Sequence, residues 1–96
     1  MTKKQRIEAF VALGEFLRSD NENIQQAIDF AAIKNPWFSK PNTSKQLEAI
    51  AKNLTEEHLH NWLSPYPDLD DNQTVGLILA GNIPLVGFHD ILAVLL

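Results

Sequence analysis

Hydrophobic positions in the first two thirds of the chain recur at helical intervals, and the pattern changes after residue 73. Ile7, Phe10, Val11, Gly14 and Leu17 share one face of a 3.6-residue period, broadened by Leu13 and Phe16. This predicts a well-buried helix over roughly Lys3 to Arg18. Ser19-Asp20-Asn21-Glu22 then reads as a capping box, in which the Ser hydroxyl and the Glu carboxylate satisfy the orphan donors of a second helix. Ile24, Ala27, Ile28, Ala31 and Ala32 supply its inner face, and Asn35-Pro36 ends it, because proline pushes the preceding residue out of the helical region. The short connection predicts two antiparallel helices packed on each other.

Thr43, with Gln46 at the reciprocal position, is the expected cap of a third helix whose stripe is Leu47, Ile50, Ala51 and Leu54. Thr55, followed by Glu56 and Glu57 at the positive end of the dipole, starts a short fourth helix carrying Leu59, Trp62 and Leu63. Pro65 ends it. Ser64-Pro65-Tyr66-Pro67 and the acidic Asp68-Leu69-Asp70-Asp71-Asn72 have the composition of a connection between units. Thr74 to Ala80 is then a continuous apolar run without alternation, the pattern of a strand buried on both faces of a parallel sheet. After Gly81-Asn82-Ile83-Pro84, Val86, Phe88, Ile91, Leu92, Leu95 and Leu96 return to helical spacing. A helix is therefore expected from about Pro84, where the fixed φ of proline suits the first turn. The expected class is mainly α: a four-helix region over 1–66, a linker over 67–73, and one strand-turn-helix unit over 74–96.

Composition narrows the partners. All eight Lys and Arg lie at or before Lys52, among six acids, whereas the remainder carries six acids and no base. Such a chain lacks the basic footprint needed for nucleic acid or an anionic membrane. Val75 to Leu96 is long enough to span a bilayer, but Asn82, Pro84, His89 and Asp90 in its middle argue against a membrane span. With no cysteine there is no disulfide, thiolate nucleophile or Cys-based zinc site. Glu8 and Glu15 interrupt any leader-like apolar core, which leaves a cytoplasmic location as the expectation. A lone strand is not a sheet, and the last helix runs out on Val94-Leu95-Leu96 without a cap. The expectation is the amino-terminal fragment of a larger protein.

Thr74 to Leu96, with its strand, Asn82-Ile83-Pro84-Leu85 turn and apolar helix, resembles the aldehyde dehydrogenase superfamily. Together with Asn35-Pro36-Trp37-Phe38 and Ser64-Pro65-Tyr66-Pro67, the chain resembles the amino-terminal part of bacterial acyl-CoA reductases of the fatty-acid reductase type. The resemblance implies an α/β, Rossmann-type cofactor domain of which 74–96 is the first strand-turn-helix. It also implies reduction of an acyl-CoA or acyl-carrier-protein thioester to an aldehyde with NADPH or NADH, through a cysteine acyl-enzyme. Leu79, Ala80, Gly81 and Asn82 then border the nicotinamide half of the cofactor, and Gly81 stands where many superfamily members carry an aromatic. The catalytic Cys, the general-base Glu and the ribose-binding elements lie downstream in relatives, so the fragment alone is inactive and binds no cofactor.

Asn82 admits two readings on its own chemistry. Its amide offers two donors at the mouth of a helix, an oxyanion-hole arrangement; equally, a short polar residue there can simply cap the helix. His58 and His60 diverge on a helix and read as surface residues rather than a metal pair. His89-Asp90 fits a structural or interface role, and Asp68, Asp70 and Asp71 lack the glycine and distal Glu of a calcium loop. Trp37, Phe38 and Trp62 read as core. A different class of function remains open: a free-standing helical interaction module that docks through its apolar C-terminal segment on a partner or self-associates.

Overall fold

The computed structural model describes residues 1–68 and 73–96. These residues form α1 (Lys3–Arg18), α2 (Glu22–Lys34), α3 (Lys40–Asn53), α4 (Glu56–Leu63) and α5 (Phe88–Leu95), with no strand among them. The protein is mainly α, as the periodicity predicted.

Capping chemistry sets most of the ends. Thr2 and Gln5 close a reciprocal capping box on α1, and Thr55 caps α4 by accepting from the His58 backbone N–H. Two expected caps fall elsewhere. Asn21, not Ser19, caps α2, because Ser19 is used at the C-terminal end of α1, where its N–H bonds back to Glu15 and Phe16. Helix α3 starts at Lys40 rather than near Thr43: Ser39 caps it and Pro41 sits in the first turn, where a missing N–H costs nothing. Thr43, one turn further in, is buried at 7% exposure.

The core is built where α1 meets the end of α3 and both α4 and α5. Ile7, Leu54, Leu59, Leu63 and Leu92 are buried together, with Phe10, Leu17, Trp62 and Phe88 packed around them. Gly14 of α1 packs directly against Leu54, the C-cap of α3. A Cβ built there would lie 2.4 Å from the Leu54 carbonyl oxygen and 2.6 Å from the Leu54 Cβ, so only glycine fits. One turn on, the Arg18 guanidinium donates to the Ala51 carbonyl and ties the same two helix ends together. The expected α1–α2 hairpin is not the organising pair. Helix α3 packs against both α1 and α2, which make few direct contacts with each other. Ile28 is the one buried residue of α2. On the opposite side Phe30, Ile33 and Trp37 are exposed; Trp37, expected in the core, is 87% exposed.

The C-terminal unit departs most from expectation. Thr74 to Ala80 forms no strand, and every residue of it is exposed, Ile78 completely so at 103%. A strand exists by exchanging backbone hydrogen bonds with a neighbour, and no second extended segment is available among the described residues. The helix also starts later than Pro84. Leu85 takes a positive φ of 63°, a left-handed conformation that no helix interior accepts, so 84–87 is a turn and α5 begins at Phe88 behind Gly87. The linker positions 69–72 lie outside the described residues.

Candidate functional site

Asn82 is exposed in a bend, six residues before the first residue of α5. The N-cap of α5 is Gly87, with no side-chain cap hydrogen bond. Asn82 is therefore not a helix cap in this structure, and it does not stand at the helix mouth that would make an oxyanion hole. Leu79, Ala80 and Gly81 precede it in the unpaired segment, all exposed. Gly76 and Gly81 face open space, where an added Cβ would meet nothing within 4 Å. The Leu79 side chain lies over Gly87, 2.9 Å from the position a Cβ would take there. These residues share one stretch of chain, and no strand among the described residues pairs with it.

An apolar groove lies beside this segment. Helices α3 and α4, the 84–87 turn and α5 enclose a cleft of about 600 Å³. Leu54, Leu59 and Leu92 form its floor, while Val86 and Phe88 contribute from the turn side. Trp62 forms part of the wall, its ring 6.0 Å from that of His89 and tilted by 37°. The polar groups at the rim are neutral amides and two imidazoles, His58 and His89; no Lys, Arg, Asp or Glu lines the cleft. An apolar cleft of this volume with a few polar rim groups has the general character of a binding site. Sequence periodicity marked its apolar residues as core, His58 as a surface residue and His89 as structural or at an interface, because the cleft arises where three separate stripes fail to meet.

The other candidates resolve into local roles. The Nδ1 of His58 is 2.7 Å from the Thr55 Oγ1, and His60 Nε2 is 3.7 Å from the Glu56 carboxylate, so the two histidines have separate partners on α4. No group of three metal-ligating side chains gathers among the described residues. Asp68 pairs with Lys3 at 2.8 Å, which brings the start of the linker back to the first turn of α1. No helix among the described residues is long and apolar enough to cross a membrane. No family model, characterised protein or solved structure matches the chain.

Proposed function

We propose that this chain is the amino-terminal part of an acyl-CoA reductase of the aldehyde dehydrogenase superfamily, inactive alone. The complete enzyme would reduce a fatty acyl thioester to the aldehyde with NADPH or NADH, through an acyl-enzyme on a cysteine supplied by the rest of the protein. The observation that carries this reading is the exposed, uncharged run Val75 to Ala80, leading directly into Asn82-Ile83-Pro84. Aliphatic residues on both faces of a run are what a central strand carries when neighbours lie on both edges and helices on both sides.

On this reading Leu79 to Asn82 are ordered only by the remainder of the enzyme, and the Asn82 amide is a donor to the thioester oxygen as negative charge develops on it. A donor of that kind acts in the transition state, so its loss appears in the rate. Asn82→Ala in the complete enzyme is predicted to slow single-turnover release of CoA by about 10²–10³-fold while cofactor affinity stays within a few-fold. An Asn82→Ala enzyme that releases CoA at the parental rate removes Asn82 from catalysis. The 96-residue chain itself, mixed with acyl-CoA and NADPH, is predicted to release no CoA.

A further inference from the structure

The chain carries two uncharged apolar surfaces side by side, and neither is satisfied by the other. One is the exposed run Thr74 to Ala80; the other is the cleft between α3, α4 and α5. They meet at Leu79, which lies over Gly87 at the lip of that cleft, between Val86 and Phe88 that line it. A short turn connects run and cleft, so the run cannot fold back into its own groove without dismantling the 84–87 turn that forms one wall. A second copy has no such constraint.

We propose that two copies of this chain associate by exchange, each placing its Val75–Ala80 run in the cleft of the other. Three observations favour a second copy as the occupant. The run contains no ionisable side chain, and no Lys, Arg, Asp or Glu lines the cleft, so no carboxylate, ammonium or guanidinium is desolvated by the contact. Donor and acceptor surfaces adjoin on one molecule, which lets a single two-fold axis satisfy both at once and close the assembly. The area also suffices. A buried aliphatic side chain removes roughly 100 Å² from water. Counting both exposed runs at their present exposure, and both grooves, the exchange hides about 1,000 Å², the lower bound for a specific interface. The association is accordingly weak and dependent on concentration.

The proposal concerns this chain as it stands, and its failure leaves the enzymatic reading untouched. Sedimentation of the full 96-residue chain, from about 1 µM to several hundred µM, is expected to show a monomer–dimer equilibrium with a micromolar dissociation constant. Ile78→Asp touches a side chain with no cover in the monomer, so it preserves the fold while raising that constant at least about tenfold. Ile33→Asp on the exposed face of α2 leaves it unchanged. Because the chain has no cysteine, pairs can be placed freely for crosslinking. A mixture of Ile78→Cys and Asn53→Cys chains is expected to form the mixed disulfide in preference to the Ile78→Cys homodimer. A monomer at every concentration overturns the proposal. So does a dimer that survives Ile78→Asp, or one that crosslinks through position 78 alone, which would mean strand-to-strand pairing rather than exchange.

Discussion

Replacing Gly14 by alanine tests the α1–α3 contact, because two general effects predict opposite signs. In an exposed helix interior, Gly→Ala stabilises by about 1 kcal/mol through backbone entropy. At Gly14 the new Cβ would stand 2.4 Å from the Leu54 carbonyl oxygen and 2.6 Å from its Cβ, with the Arg18 Nη1 at 3.1 Å. Non-bonded carbon atoms pack at about 3.5–4.0 Å, so the intrusion is on the order of 1 Å. A flexible side chain could swing aside, but the obstacle here is backbone. Leu54 is 1% exposed and forms the C-cap of α3, with its N–H bonded to Ala51, so yielding means displacing the end of that helix. Overpacking costs up to about 3 kcal/mol, occasionally more. After subtracting the propensity gain, Gly14→Ala should destabilise by about 2 kcal/mol, or roughly 8–16 °C in Tm for a domain of this size. Thermal and urea unfolding followed by circular dichroism, at concentrations where the chain is monomeric, measure this directly. Gly81→Ala, with nothing within 4 Å of the added methyl, is the control and should stay within about 0.5 kcal/mol. A Gly14→Ala protein as stable as the parent, or more so, would falsify the close approach of the two helices.

Three further predictions follow from burial and capping. Leu92→Ala removes the residue by which α5 joins the common core and should cost about 2–5 kcal/mol, read from the urea midpoint; a loss under 0.5 kcal/mol means that α5 is not docked. Trp37→Ala should leave stability within about 0.5 kcal/mol despite deleting the largest side-chain type, since Trp37 is almost wholly solvated. Thr55→Ala removes an N-cap acceptor and should cost about 1 kcal/mol, with Thr55→Asn restoring most of it; equal losses in both variants would show that the hydroxyl acts on His58 rather than as a cap.

Helical periodicity and cap chemistry are local properties, and they are legible in the sequence. The span of α1, the start of α4 at Thr55 and the inward stripes of α3 and α4 follow from residues within a few positions of each other. Even there, caps were ambiguous wherever several short polar residues compete. Ser19 and Asn21 can each cap a helix, and Ser39 with Pro41 outweighed Thr43 because proline fixes the first turn. Tertiary structure decided what no local pattern contains. It placed α3 between α1 and α2, turned Trp37 to solvent, and made Gly14 a contact point rather than a weak spot in a helix. The run Thr74 to Ala80 marks the limit most clearly. Its composition predicts a strand that the fold does not form, because a strand is a relation between segments whose hydrogen bonds need a neighbour. The sequence therefore determined which residues need burial, and the fold decided which of them find it within this chain.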